Sequence, residues 1–199
     1  MKDLLREVMD SLKKRGVEYA DARWIRNRTE LLVMKNGEVE TGSATESEGV
    51  GIRVLASGAW GFSSSSELDP DAVRALADQA VEIAKASARV GNGGVVLDGQ
   101  EIVVDSWKNK VDEDPFDVPL SEKLNILARS CEDMQKVENI RFATASMMSF
   151  RNDKLFINTE GSAIDQTIIE TGGGLAATAM KEGERQTRSY PASFRGDYG

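Results

Sequence analysis

The most informative feature of this 199-residue sequence is that it contains no histidine. A histidine-based zinc site, a Ser–His or Cys–His couple and imidazole acid–base catalysis are therefore excluded within the chain. Cysteine is nearly absent as well, because the single Cys131 excludes an internal disulfide and fits a reducing compartment. Any histidine chemistry in which the chain takes part must come from residues outside it.

Positive charge and long apolar runs are also scarce. The 25 Lys and Arg residues are outnumbered by 33 Asp and Glu residues, which gives a formal net charge of −8. This charge predicts that the protein binds neither nucleic acid nor anionic membranes, since their phosphates would be repelled. No apolar run approaches the roughly 18 residues of a membrane-spanning helix. The N-terminal MKDLLREVMDSLKKRG lacks the apolar region of a secretory signal, so we expect a cytoplasmic protein.

The order of amphipathic and alternating segments predicts an α+β fold. An amphipathic helix that ends near Arg15 precedes segments of strand composition, which are separated by the turn dipeptides Asn36-Gly37 and Ser57-Gly58. These segments predict four successive antiparallel strands between about residues 20 and 63. A second helix is expected after Asp69, a favourable N-cap residue that is followed by proline. Its predicted apolar face comprises Val73, Leu76, Ala77, Ala80, Ile83 and Ala84.

The same order of segments recurs after the acidic, proline-containing linker VDEDPFDVP. A helix, alternating segments, a turn at Glu160-Gly161 and a glycine-marked strand that ends at Gly183 follow with an offset of about 124 residues. We therefore predict tandem helix plus antiparallel-sheet units (α-β-β-β) that form two packed subdomains. The first is expected to span residues 1–110 and the second residues 111–199.

Glycine is concentrated in ESEGVGIRVLASGAWGF (46–62) and in IIETGGGLAATAMKEG (168–183). Neither segment has the Gly-x-x-x-x-Gly-Lys-Ser/Thr pattern, or the strand–Gly-x-Gly-x-x-Gly–helix context, of a phosphate-binding loop. We interpret the glycines as strand positions that mark either bulges or the close approach of another backbone, such as an extended peptide that pairs with the sheet. The residues predicted to contact a peptide or a partner are Gly49, Gly51, Arg53, Gly172, Gly173 and Gly174.

Several side chains have alternative interpretations. Arg53 lies among aliphatic strand residues, where an unpaired buried charge would be costly, so it either faces solvent or reaches a carboxylate or a bound chain terminus. The acidic run 112–117 either is a solvated linker or holds a hard cation, although it lacks the register of a calcium loop. Trp60 and Phe62 are either a ligand-stacking pair or include a core residue, and Cys131 is expected to be a small buried side chain on a helix.

A family resemblance is carried by YADAR, the following Asn-Gly, and ESEGVGIRVLASGAWGFSSSSELD with its alanine-rich continuation DQAVEIAKAS. These segments resemble the N-terminal part of the TldD/PmbA family, the peptide-maturation metalloproteases that are also called modulators of DNA gyrase. YPASFRGDYG (190–199) is similar to the segment that leads toward the family's catalytic half. The resemblance implies a parent chain of roughly twice this length, in which the protease subunit carries a His-Glu-x-x-x-His zinc motif and a later cysteine ligand beyond Gly199.

This resemblance implies that the chain has a binding function and carries no catalytic residues. The chain is expected to be the substrate-binding and assembly domain of a zinc-dependent peptidase that acts on unfolded peptides. No catalytic residue or metal ligand can be carried over, so we expect no activity and no cofactor in the chain alone, with zinc in the remainder of a catalytic parent. The alternative is a non-catalytic scaffold subunit of a TldD/PmbA heterodimer. Expected partners are an unfolded peptide and either a homologous subunit or a second copy.

A function of another class, a small-molecule enzyme that uses the linker carboxylates, is a third alternative. No pair of carboxylates at a convincing spacing supports it.

Overall fold

The computed structural model describes residues 1–91 and 94–194, without the side chains of 191–194. The helices are α1 (Lys2–Lys14), α2 (Pro70–Val90) and α3 (Leu120–Gln135). The strands are β1 (Tyr19–Lys35), β2 (Glu38–Ala56), β3 (Ala59–Ser65), β4 (Val104–Lys108), β5 (Ile140–Asn158), β6 (Ala163–Lys181) and β7 (Glu184–Phe194). The predicted α+β class is confirmed, and the order α-β-β-β occurs twice, with α2 and β4 between the two series.

The seven strands of the described residues form one sheet in the order β3-β2-β1-β5-β6-β4, and β7 also pairs with β6. β2 and β3 pair antiparallel, as do β6 and β7, whereas β4 runs parallel to β6. The sheet is therefore antiparallel in the hairpins and parallel at the short strand β4.

Three hairpins close with two-residue turns in which both residues have positive φ. These turns are Asn36-Gly37 (51° and 85°), Ser57-Gly58 (55° and 73°) and Glu182-Gly183 (52° and 84°). Positive φ at both positions is the type I′ geometry, whose twist matches that of the flanking strands, so the two turns predicted in the first series are confirmed. The predicted turn at Glu160-Gly161 lies in the longer connection 159–162, where Asn158 Oδ1 accepts three backbone N–H groups.

The first series contains three strands rather than the four predicted, and two of the three are long. β1 and β2 run without interruption for 17 and 19 residues. The prediction divided them because residues 38–48 of β2 are almost all exposed, so their side chains carry no apolar alternation. In this stretch the strand depends on main-chain pairing with its neighbours rather than on a buried face.

The chain divides into two compact units, each built from discontinuous segments. The first unit comprises Met1–Arg26, Ser47–Lys108 and Asn152–Thr167. The second comprises Asn27–Glu46, Asn109–Arg151 and the described residues from Ile168. Each unit takes residues from both α-β-β-β series. The division into subdomains at residues 110 and 111 stays a prediction.

In the first unit, α1 and α2 pack on one face of the sheet. Asp69 caps α2, since its Oδ1 accepts hydrogen bonds from the backbone N–H groups of Asp71 (3.2 Å) and Ala72 (3.0 Å). The predicted apolar face of α2 is confirmed except at Ile83, which is 38% exposed, whereas Val81 is buried. The core of this unit contains Leu5, Val8, Met9, Leu12, Ala20, Ala22, Val50, Ile52, Val54, Val73, Leu76, Ala77, Ala80, Val81, Ala84, Leu155 and Ile157.

In the second unit, α3 packs on β1 and β5 through a smaller core. Its buried residues are Leu32, Met34, Leu127, Cys131, Ala143 and Ala145. The Cys131 Sγ lies 3.7 Å from the carbonyl oxygen of Met34 and 3.6 Å from that of Ala143. The prediction that Cys131 is a small buried side chain is confirmed.

Candidate functional site

Gly49 and Gly51 lie in β2 at the point where β3 pairs with it. Gly51 is opposite Ser64 in the register. A Cβ at Gly49 would lie 3.2 Å from the carbonyl oxygen of Ser65, and one at Gly51 would lie 2.9 Å from the Phe62 ring. The close approach predicted for these glycines is therefore made by β3 of the same chain, and their contact with a peptide or a partner stays a prediction.

Gly172, Gly173 and Gly174 lie in β6, within the second unit. They are opposite Ser193, Ala192 and Pro191 of β7. On their other side is Ser146, whose hydroxyl donates to the carbonyl oxygen of Gly174 (3.4 Å). A Cβ at Gly173 would lie 3.4 Å from the carbonyl oxygen of Ser146. The predicted contact role of this second glycine group also stays a prediction.

A row of aromatic and charged side chains crosses four neighbouring strands of the first unit, and we call it the arginine row. It consists of Trp60 of β3, Arg53 of β2, Asp21 and Arg23 of β1, and Phe156 of β5. The strands β3, β2, β1 and β5 are adjacent in this order. Residues that alternate with these in β1, β2 and β5 belong to the helix-covered core, so the arginine row lies on the opposite face of the sheet.

Asp21 is the centre of the arginine row and is 3% exposed. Its Oδ2 accepts hydrogen bonds from Arg53 Nε (2.8 Å) and Nη2 (2.6 Å). Its Oδ1 lies 3.7 Å from Arg23 Nε. Two guanidinium groups therefore flank one buried carboxylate, which leaves the row with one net positive charge.

Each guanidinium of the row lies over an aromatic ring. The Arg53 Cζ is 4.4 Å from the Trp60 ring centroid, and the Arg23 Cζ is 5.5 Å from that of Phe156. Trp60 is in turn held edge-on by Tyr19, with ring centroids 5.9 Å apart. Burial, and secondly the charge of Asp21, raises the pKa of the Tyr19 phenol, so this hydroxyl is neutral at physiological pH. These contacts fix the planes of both guanidinium groups.

Of the alternatives for Arg53, the structure shows a contact with a carboxylate of the neighbouring strand, and the contact of Arg53 with a peptide or a partner stays a prediction. Arg53 also keeps 41% of its side chain exposed. Phe62 is 57% exposed and is not a core residue, whereas Trp60 is half-buried beneath Arg53. Sequence reasoning missed Asp21 and Arg23 as members of a site. The available signal was the alternation in YADARWIRN, which puts both on one face of a strand.

The segment 95–107, which we call the apolar segment, exposes large hydrophobic side chains. Val96 is 90% exposed, Val104 70%, Ile102 58% and Trp107 46%. Its last part is β4, which forms the end of the strand order and pairs on one side with β6. Exposed apolar patches next to an open strand edge mark surfaces that associate with other chains.

Among the described helices, none is both long and apolar enough to cross a membrane.

The described residues show no set of side chains that fits a zinc centre. The sequence has no histidine, and its one cysteine is buried in the core of the second unit. Residues 1–91 and 94–194 contain no group of three or more His, Cys, Asp or Glu placed to hold a metal ion. In the acidic linker, Asp114 accepts the backbone N–H of Phe116 (3.0 Å) and pairs with Arg151 (3.4 Å), so its carboxylate is used within the fold.

Comparison with known proteins shows which family part of the chain resembles. Residues 20–84 match a family model described as PmbA/TldA metallopeptidase domain 1. These residues are similar to the first domain of the TldD/PmbA family. The matched segment contains nearly all of β1, the whole of β2 and β3, and most of α2. Four members of the arginine row therefore lie within the matched residues 20–84. YPASFRGDYG, another segment that carried the resemblance, ends in residues 195–199, which lie outside the described residues.

The curated relatives that this chain matches are longer proteins. A metalloprotease from Methanocaldococcus jannaschii is 26% identical over 182 residues, which are 92% of this chain and 40% of that protein. A metalloprotease from Methanothermobacter thermautotrophicus is 28% identical over 82% of this chain and 34% of its own length. A metalloprotease TldD homologue from Haemophilus influenzae is 24% identical over 79% of this chain and 32% of its own length. The chain therefore spans between about a third and two fifths of these relatives.

Solved structures share the fold. A protein from Thermotoga maritima named a modulator of DNA gyrase matches with a TM-score of 0.77 at 18% identity, over 98% of this chain and 43% of its own. TldE from Thermococcus kodakarensis matches with a TM-score of 0.60 at 16% identity, over 96% of this chain and 42% of its own. At such identities the similarity establishes the fold alone.

Proposed function

We propose that the chain is the substrate-binding and assembly domain of a TldD/PmbA-type zinc-dependent peptidase that acts on unfolded peptides. The observation that carries this proposal is the match of residues 20–84 to the first domain of a metallopeptidase family, in a chain that has no histidine. The relatives named metalloproteases are much longer than the region matched here. The domain would bind and orient the peptide, while zinc outside these residues would activate water or polarise the scissile carbonyl.

Two surfaces support a binding role. In the first unit the arginine row offers partly exposed guanidinium groups on aromatic rings. In the second unit Gly173 is exposed, so an extended main chain could closely approach the face of β6 at that position, since both edges of the strand are paired there. The proposal includes a cytoplasmic location, because the chain has a single cysteine. It includes no nucleic acid or membrane partner, because the net charge is −8.

The test is binding of a fluorescent, permanently unfolded polypeptide with blocked cysteines, measured by anisotropy against the 199-residue chain. We expect saturable binding, no binding of the same polypeptide in its folded form, and no cleavage with or without added Zn²⁺. Gly173→Ala should weaken this binding several-fold, because the added methyl group would stand where the peptide main chain approaches. The exposed strand itself should tolerate the methyl group. Gly42→Ala is the matched control, since its Cβ would lie 4.0 Å from the nearest atom in another exposed strand.

The alternative is a non-catalytic partner subunit that forms an interface and binds no substrate. The apolar segment favours it, because several adjacent exposed hydrophobic side chains are typical of a protein–protein contact. This alternative predicts association with a homologous subunit and no binding of the unfolded polypeptide. If the wild type and Gly173→Ala both bind the unfolded polypeptide no better than the folded one, the substrate-binding proposal is rejected. The partner-subunit alternative is then favoured.

A further inference from the structure

We propose that the arginine row binds the carboxylate group of a peptide. This inference deepens the proposed function by naming the chemical group that the domain recognises, and it rests on that function in taking a peptide as the ligand. The carboxylate would be accepted by Arg53 and Arg23 on the exposed side of the row, above Asp21.

The first argument is the number of donors that the fold leaves over. A guanidinium carries five N–H donors in a fixed plane. Arg53 gives one from Nε and one from Nη2 to the same Asp21 oxygen. Within residues 1–91 and 94–194, no other hydrogen-bond acceptor or ion-pair partner contacts its guanidinium, and 41% of the side chain is exposed. The Nη1 edge is therefore free for a ligand.

The second argument is charge. Asp21 is buried and already shared between the two arginines, so the row keeps one net positive charge. A carboxylate carries one negative charge and would neutralise the row. A phosphate dianion would exceed that charge by one, and the Asp21 carboxylate would repel it more strongly than it repels a singly charged carboxylate. The balance therefore favours a carboxylate over a phosphate.

The third argument is that the donors are held in place before a ligand arrives. Asp21 fixes one edge of Arg53, and the Trp60 ring supports its plane at 4.4 Å. Arg23 lies over Phe156 and next to the other oxygen of Asp21. Groups that are already ordered lose less conformational entropy on binding, and planar guanidinium groups match carboxylates in geometry. A pair of freely mobile surface arginines would lack this advantage.

The test uses the full chain labelled with ¹⁵N and follows the Arg53 Nε–H signal by NMR, assigned as the signal lost in Arg53→Lys. The probes are N-acetyl-Ala-Ala with a free terminal carboxylate, its C-terminal amide, N-acetyl-Ala-Glu-amide with a side-chain carboxylate, and inorganic phosphate. We expect the signal to shift saturably with at least one of the two carboxylate peptides and not with the neutral amide. Comparison of the two carboxylate peptides tells whether a chain terminus or an acidic side chain is preferred.

Arg23→Ala is the variant that tests the paired arrangement. Arg23 is 54% exposed, so the fold should persist, as the remaining NMR spectrum would verify. We expect the affinity for the carboxylate peptide to fall roughly tenfold, because the row would lose its net positive charge. Arg74→Ala is the control: Arg74 is an exposed arginine of α2 that pairs with Glu7, and its removal should leave the affinity unchanged.

Three results would overturn the inference. They are no saturable shift with either carboxylate peptide, an equal shift with the neutral amide or with phosphate, and an affinity that Arg23→Ala leaves unchanged. Binding of the unfolded polypeptide without any response to carboxylates would reject this inference and leave the proposed function intact. A specific carboxylate response in a chain that fails to bind the unfolded polypeptide would support this inference and reject the proposed function.

Discussion

Asp21 is the residue on which the arginine row depends, since its buried carboxylate lies between two guanidinium groups. Asp21→Asn would remove the charge and leave Arg53 partly buried without its counter-ion. We expect this change to lower the free energy of unfolding by about 1–3 kcal/mol, measured by urea denaturation. The control is Asp78→Asn at the exposed pair with Arg15, where the loss should be about 0.5 kcal/mol or less. Equal losses in the two variants would mean that the row does not stabilise the fold.

Tyr19 gives the same region a pH dependence. Burial, with a further contribution from Asp21, raises the pKa of its phenol above 10.0. The folded protein then holds the phenolic proton more tightly than the unfolded chain does. The resulting stability is complete below the unfolded pKa of 10.0 and is lost as the pH rises through the folded pKa. We expect the stability of the wild type to fall more steeply above about pH 10 than that of Tyr19→Phe, in urea titrations at several pH values. Parallel profiles would contradict the prediction.

At the scale of elements, the contact between β3 and α2 depends on Gly61. A Cβ at this position would lie 2.0 Å from the carbonyl oxygen of Ala80 and 2.5 Å from the backbone nitrogen of Ala84. Both atoms belong to the helix main chain, which can yield only if α2 moves as a whole. Gly61→Ala should therefore destabilise the protein by roughly 3 kcal/mol or more in chemical denaturation. Gly42→Ala, with its open surroundings, should change stability by less than about 0.5 kcal/mol, and a similar loss there would contradict this account.

Gly61 also illustrates what local sequence signals can and cannot predict. The cap at Asp69 and the spacing of apolar residues predicted α2, and the turn dipeptides predicted the hairpins, because those signals act over a few residues. The glycines of segment 46–62 were predicted to mark close approach, but the position against α2 was not among those assigned. Which glycine faces a helix depends on where that helix packs, and no pattern within one strand contains that information.

At the scale of the whole molecule, strand order brings together residues that are distant in sequence. Asp21 meets Arg53 because β1 lies beside β2, and Arg23 meets Phe156 because β5 lies on the other side of β1. The sequence left open whether Arg53 faces solvent or reaches a partner, and it did not show which carboxylate that partner would be. The order of segments predicted the fold and the resemblance indicated the family, but neither identified this row, since both concern positions along the chain and not side-chain contacts.

The apolar segment leads to a prediction about the molecule in solution. Its exposed side chains adjoin the outer edge of β4, where backbone groups can pair with another strand. Covering this surface would remove apolar area from water, which favours association as concentration rises. We expect a concentration-dependent dimer in sedimentation velocity experiments.

The double variant Val96→Lys, Val104→Lys should remain monomeric with unchanged thermal stability, because both side chains are largely exposed. Val90→Lys places the same charge at an 83% exposed valine outside the segment and should still dimerise. A wild type that stays monomeric, or a control that dissociates equally, would show that this surface does not drive self-association.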